Sequence, residues 1–469
     1  MSSSDSSPDL PSPLARFMYG TLAGFLRLVV RVFYRQIDVV GRENVPDRGP
    51  VIFAGNHPNS LHDPMLIIAF AGRVVHFAAK DVLFRSAFLR FFLTNLGAVP
   101  IQRKSDHAGE VDNSSTFDAL FAVLAEGRAM GIFPEGLSHD ESQLARLKTG
   151  AARIALGMLA DHPDLELSII PSGLTYFTPK RFRSRVLLQF GPPIPVGAAW
   201  RALHQQDERT AVRALTEELE RALRGLTINA PDWETARVLD GVRRLYQPAN
   251  ISLEQRTELS RRFNEVYPSV RDRPEVKAIY QRVEAYLDRL RAAGLDDRDL
   301  TRELGPFDVA RRVTGHVILT FLWLPLALPG FALFVPLLLT IRIAGPRVSP
   351  RRDVIATTKL VIGMVTTLLI LTALPGAMLA LWSPVAGAVT FVLLVLAFLA
   401  TIRVLERGNA MRRLLTTFGR LIALRREVEA LRGERAALVD IVIAAVEAHR
   451  PEDMVPMFPR DSSARIEPA

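Results

Sequence analysis

His57 and Asp63 stand six positions apart in the run Gly55-Asn56-His57-Pro58-Asn59-Ser60-Leu61-His62-Asp63-Pro64. An imidazole with one nitrogen held by a carboxylate keeps the other free as a base near neutral pH. Such a pair can take the proton from an attacking hydroxyl without any nucleophile supplied by the protein. His62, directly beside Asp63, reads instead as a structural or substrate-contacting residue. Arg103 leaves a β-like run in Gly97-Ala98-Val99-Pro100-Ile101-Gln102-Arg103. A guanidinium there can hold a phosphate through two hydrogen bonds, which a lysine cannot reproduce, although a solvated arginine at a strand end fits the same residues.

A third element, Gly131-Ile132-Phe133-Pro134-Glu135-Gly136-Leu137-Ser138-His139-Asp140, breaks an apolar run with Pro, Glu and Gly. That break puts the carboxylate of Glu135 and the backbone around Gly136 at a strand tip, suited to glycerol hydroxyls and phosphate. A buried ion pair between Glu135 and Arg103 is an alternative that can hold at the same time. Lys148, in Leu147-Lys148-Thr149-Gly150-Ala151-Ala152-Arg153, opens a helix, where a cation beside free amides forms an anion site; a surface lysine serves equally well there. Pro171, in Ile169-Ile170-Pro171-Ser172-Gly173, ends another strand lining the same cleft.

The elements that must position these residues follow from patterning. Short apolar runs at 51–54, 74–78, 129–133, 167–171 and 186–190 alternate with helical patterns, the layout of an α/β domain over residues 35–200. Residues 1–13, rich in Ser, Pro and Asp, read as a disordered tail without a secretory signal, which keeps the catalytic domain on the cytoplasmic face. Residues 14–34 read as a helix lying in the membrane interface, because Arg16, Arg27 and Arg31 interrupt its aromatic and apolar residues; an amphipathic helix packed on the domain fits the same pattern. Residues 201–312 are charged and helix-periodic, with Ala211, Leu215, Leu219 and Leu223 on one face, and read as a helical connector.

Membrane segments are expected over residues 313–403, in the apolar stretches 313–341 and 360–402. At about 20 residues per crossing, the second holds a hairpin around Trp382-Ser383-Pro384. Pro325, Pro329 and Pro336 interrupt the first, and a re-entrant hairpin of two half-helices is expected there. Two hairpins keep all the flanking basic clusters cytosolic, as the positive-inside rule asks: Arg311 and Arg312, then Arg342 to Lys359, then Arg403 to Arg413. Residues 404–469 carry a heptad-like series through Leu414, Leu421, Leu424, Val428, Leu431, Leu438 and Val442, which leaves self-association and folding back on the chain both open.

Composition agrees with a membrane enzyme. The 469 residues are 49% hydrophobic and carry 58 Lys+Arg against 49 Asp+Glu, a net charge of +9 that suits phosphorylated substrates and lipid head groups. The absence of cysteine excludes disulfides, thiolate metal sites and cysteine nucleophiles. Nucleic acid is not an expected partner, since the arginines cluster beside apolar stretches rather than among aromatics on a soluble surface.

Taken in order, Asn56-His57 with Asp63-Pro64, Gly97 with Ile101 and Arg103, Phe133-Pro134-Glu135-Gly136, and Ile170-Pro171 resemble the four motifs of the glycerolipid acyltransferase family. The resemblance implies an α/β acyltransferase fold, a fatty acyl thioester donor (acyl-CoA or acyl-carrier protein) used without a further cofactor or metal, and a glycerophosphate-type acceptor. It makes His57 the base and Asp63 its partner; Arg103, Glu135 and Gly136 bind the acceptor, and Pro171 lines the site. Five residues separate His57 from Asp63 where the commonest family pattern has four. That spacing, with the stretches around Phe133 and Lys148, looks like the glycerol-3-phosphate and dihydroxyacetone-phosphate acyltransferase branch best known from fungi. Acylation of 1-acylglycerol 3-phosphate, and an inactive membrane scaffold, are the alternatives; the presence of His57, Asp63 and Glu135 argues against the scaffold.

Overall fold

The chain is described by a computed structural model covering residues 13–101, 114–248, 250–301 and 305–458. The expected phosphate ligand Arg103 lies outside the described residues. Two compact units are present. One comprises Met1–Asp232, Leu253–Arg261 and Pro350–Thr357, the other Trp233–Ser252, Arg262–Ser349 and Thr358–Ala469.

The first unit is built on an eight-stranded mixed sheet. Its strands are β1 (Tyr34–Val40), β2 (Val51–Gly55), β3 (Val75–Lys80), β4 (Val99–Ile101), β5 (Ala129–Ile132), β6 (Leu167–Tyr176), β7 (Ser184–Phe190) and β8 (Ile194–Val196). Their order is β1-β7-β6-β2-β5-β3-β4, with β8 also on β6. β6, β2, β5, β3 and β4 run parallel, whereas β7 and β8 are antiparallel to β6. All five residues of β2 are buried, as expected of a central parallel strand covered on both faces. Pro171 sits where β6 changes neighbour, from β8 at Leu167–Ile169 to β7 at Ser172–Tyr176, so its missing N–H breaks no run of ladder bonds.

Around the sheet lie α1 (Pro13–Phe33), α2 (His62–Phe70), α3 (Ala87–Asn95), α4 (Ser114–Ala125), α5 (Gly150–Asp161), α6 (Ala198–Gln206) and α7 (Glu208–Leu226). Ile52 and Ala54 of β2, Met130 of β5 and Ile169 of β6 form one core with Leu124, Ala155, Leu159, Ala211, Leu215, Leu219 and Leu223. The four-residue spacing of Ala211, Leu215, Leu219 and Leu223 is therefore the buried face of α7, which packs on β6. The expected connector thus starts too early at residue 201, since α6 and α7 belong to the sheet unit. α1 packs on α2 through a face that buries Tyr19, Leu22 and Val30, and leaves Leu14, Phe17 and Leu28 exposed.

The second unit is helical: α8 (Trp233–Tyr246), most of α9 (Leu253–Val270), α10 (Pro274–Ala293), α11 (Asp297–Thr301), α12 (Pro306–Val348), α13 (Ile355–Leu381), α14 (Pro384–Ala423) and α15 (Arg425–His449). α15 packs on α8 and α10, burying Val428, Leu431, Leu438 and Val442, so the heptad-like face is used within the chain. α13 and α14 follow one another across Trp382-Ser383, with Gly387 against Leu379 near the junction and Ser383 capping α14 through its bond from the Ala386 amide. The expected re-entrant hairpin at 313–341 does not form: α12 is one continuous helix through Pro325, Pro329 and Pro336. Isolated prolines are tolerated in apolar helices because neighbouring helices can compensate for the lost bond. Here α12 packs closely on α14, with Gly330 against Ala397 and Thr401, and Phe334 edge-on to Phe398 at 5.0 Å. Among the described residues, three helices are long and apolar enough to cross a membrane: Pro306–Val348, Arg352–Leu381 and Pro384–Ala423.

Candidate active site

His57 follows the C-terminal end of β2, and Asp63 lies in the first turn of α2. The intervening five residues close on themselves. Ser60 takes a left-handed backbone at φ 51°, the His62 amide donates to the Asn59 carbonyl, and the Asp63 amide donates to the Ser60 carbonyl. This tight turn absorbs the extra residue and brings His57 Nδ1 to 2.8 Å from Asp63 Oδ2. The Asn59 amide donates to the same oxygen at 2.8 Å, and the Tyr176 hydroxyl donates to Oδ1 at 2.5 Å.

Asp63 is completely buried, and burial raises its pKa; the bonds from His57, Tyr176 and Asn59 oppose that rise by favouring the carboxylate. With Nδ1 donating to this carboxylate, Nε2 of His57 is left as the basic nitrogen. It has no protein partner among the described residues, and the His57 side chain is 15% exposed. Phe133 stacks on the imidazole at 4.0 Å and 5°, and Phe77 stacks behind Phe133 at 5.6 Å. Gly131 makes this possible, since a Cβ there would come within 2.3 Å of the Phe77 ring.

Glu135, expected to meet the acceptor, is instead buried within the loop after β5. One oxygen accepts the His57 amide at 2.7 Å; the other accepts the Ala145 amide at 2.8 Å and is paired with His139 Nε2. Both oxygens being engaged, Glu135 acts as a clamp that ties the His57 backbone to the 133–145 loop. The pairing with Glu135 raises the pKa of His139. The His139 amide in turn donates to the His57 carbonyl at 3.2 Å, and the Ser60 amide donates to Ser138 Oγ at 3.0 Å.

Gly136 adopts φ 73°, where a side chain is strained, and a Cβ there would meet Lys148 Nζ at 2.5 Å. The exposed Lys148 therefore lies directly over Gly136, while its amide donates to the Pro134 carbonyl at 2.8 Å. Pro171 is buried in the sheet at the register position of Ala54, one strand from the histidine, and its carbonyl accepts the Gly191 amide at 2.8 Å. The fold thus brings His57, Asp63, Glu135, Gly136 and Lys148 together, and places Pro171 in the supporting sheet.

His62 is fully buried, bonded through Nδ1 to the Tyr34 hydroxyl at 2.8 Å, and burial lowers its pKa to about 4. It is a neutral structural residue. Tyr34 also accepts from Asn59 Nδ2 at 3.2 Å, and burial pushes both Tyr34 and Tyr176 well above the usual phenol range. Asn56 bridges to β6 by two bonds with the Leu174 backbone, at 2.7 and 3.0 Å. The roles of Tyr34, Tyr176, Phe77 and His139 were not expected from sequence, although Tyr34, Phe77 and His139 lie within stretches already singled out.

Residues 36–175 match the family model described as Acyltransferase, and residues 238–454 match that of the glycerol-3-phosphate acyltransferase 2 C-terminal domain. The chain is similar to an uncharacterized acyltransferase of Schizosaccharomyces pombe, 26% identical over 74% of this chain and 66% of that protein. It is similar also to two proteins of Saccharomyces cerevisiae. Glycerol-3-phosphate O-acyltransferase 2 is 31% identical over 55% of this chain and 37% of that protein; glycerol-3-phosphate O-acyltransferase 1 is 34% identical over 76% and 60%. The chain spans less than two thirds of the length of each of these curated relatives.

Proposed function

This chain belongs to the glycerolipid acyltransferase family, and from that premise we propose that it transfers a fatty acyl group from acyl-CoA or acyl-carrier protein to glycerol 3-phosphate or dihydroxyacetone phosphate. The observation that carries this reading is His57, held by Asp63 at 2.8 Å, with Nε2 left to face a substrate hydroxyl. Nε2 takes the hydroxyl proton as the oxygen attacks the thioester carbonyl; the C–S bond breaks, and the proton passes to the departing sulfur. Asp63 stabilises the imidazolium formed in between. Nothing beyond the thioester co-substrate is required. Lys148 over Gly136, together with Arg103, is assigned to the acceptor phosphate.

The same reading sets the catalytic domain on the cytoplasmic face of a membrane. Packing and connectivity support a refinement of the topology. No helix long and apolar enough to cross lies between Asp232 and Pro306 among the described residues, so α12 begins on the side of the catalytic domain. Pro350–Thr357, which follows α12, packs within the catalytic unit, so α12 ends on that side too. α12, one unbroken helix, therefore lies along the membrane rather than across it, and α13 and α14 supply the crossings. This arrangement keeps all three basic clusters together.

Acceptor identity is tested by assaying the purified full chain with glycerol 3-phosphate, dihydroxyacetone phosphate and 1-acylglycerol 3-phosphate in parallel. Turnover is expected with one or both of the first two, at higher kcat/KM than with the lysolipid. Preference for the lysolipid would overturn the acceptor assignment.

A further inference from the structure

The link between α12 and α13 reaches the dyad from a distant part of the sequence. Within the catalytic unit, Thr357 Oγ1 accepts the Leu61 amide at 3.2 Å, across 296 positions of sequence. Leu61 caps α2, whose second residue is Asp63, and an amide at a helix start has no partner inside its own helix. Thr357 supplies one. At the other end of the link, Asp353 is 6% exposed, is paired with Arg351 at 2.7 Å, and exerts its charge on His139. His139 is the partner of Glu135, and Glu135 holds the His57 amide.

The segment thus bears on the supports of both members of the dyad: it bonds the start of α2 on the Asp63 side, and the charge of Asp353 acts on His139, the partner of Glu135, on the His57 side. A buried carboxylate needs charged or donor partners to offset its desolvation, and Asp353 has Arg351 in that role. Neither Asp353 nor Thr357 touches the free nitrogen of His57. Resting on the acyl-transfer reading of the site, we infer that Asp353 and Thr357 are positioning residues for the His57/Asp63 pair, so that the link between the first two apolar helices completes the catalytic site.

The test uses the full chain reconstituted in phospholipid vesicles, with kcat and KM for glycerol 3-phosphate measured on wild type, Thr357→Val, Thr357→Ser, Asp353→Asn and His57→Ala. Thr357→Val is expected to lower kcat about fivefold, the effect of one lost hydrogen bond. Asp353→Asn is expected to lower it about tenfold, since a charged partner is lost. KM should stay within about twofold in both, because neither residue meets the acceptor, and Thr357→Ser should restore the wild-type rate. If Asp353→Asn fails to fold, the valine and serine pair at 357 decides. Wild-type kcat in Thr357→Val, or a loss that serine does not rescue, overturns the inference while leaving the acyl-transfer reading intact. A wild type without turnover, or a His57→Ala protein that retains it, overturns both.

Discussion

Asp63 holds its place through three donors: the His57 ring, the Asn59 amide and the Tyr176 hydroxyl. Beside it, His62 is kept neutral by burial, and its pKa of about 4 lies well below the ordinary 6.5. The unfolded chain therefore binds a proton here at higher pH than the fold does. The stability that His62 contributes is fully present above pH 6.5 and is lost as the pH falls toward 4. At pH 5 the loss is about 2 kcal/mol. Wild type should lose roughly 5 °C more in melting temperature than His62→Gln between pH 7 and pH 5. Equal losses in the two proteins would show that His62 is not held neutral.

His57, Asp63, Glu135, Gly136 and Lys148 were legible as a set because each sits in a short motif at a strand end or helix start. The inward turn of Glu135 was not. A Pro-Glu-Gly break marks a strand tip but does not reveal that backbone amides of His57 and Ala145 wait for the carboxylate. Tyr176 lies 113 positions from Asp63, and no local pattern connects them.

At the scale of elements, the alternation of apolar runs disclosed β2, β3, β5, β6 and β7, whose hydrophobic stretches are continuous because both faces are buried. β1 was hidden in what reads as the end of α1, since Tyr34 continues the apolar helix pattern into a strand. Helical periodicity located the buried face of α7 but not the sheet it covers. The prolines of α12 were over-read as breaks, because the close packing of Gly330 on α14 offsets their cost.

The membrane arrangement has a direct test, favoured by the absence of native cysteine. Single cysteines at the exposed positions Glu208, Val348 and Trp382 can be probed with an impermeant maleimide in sealed vesicles. Val348→Cys is expected to react from the same side as Glu208→Cys, and Trp382→Cys from the opposite side. Reaction of Val348→Cys together with Trp382→Cys would instead make α12 a full crossing.

For the whole molecule, the sheet unit holds the His57/Asp63 pair, while the helical unit supplies the apolar helices and buries the heptad-like face of α15 within itself. In the proposed reaction one imidazole, that of His57, acts as the base for acyl transfer. The most direct measurement of that role is the turnover of the full-length His57→Ala protein against wild type, in membranes, with an acyl thioester and glycerol 3-phosphate. Loss of a general base should cost a factor of about 10²–10⁴ in rate, with expression and membrane association unchanged. Turnover within a few-fold of wild type would contradict the assignment of His57.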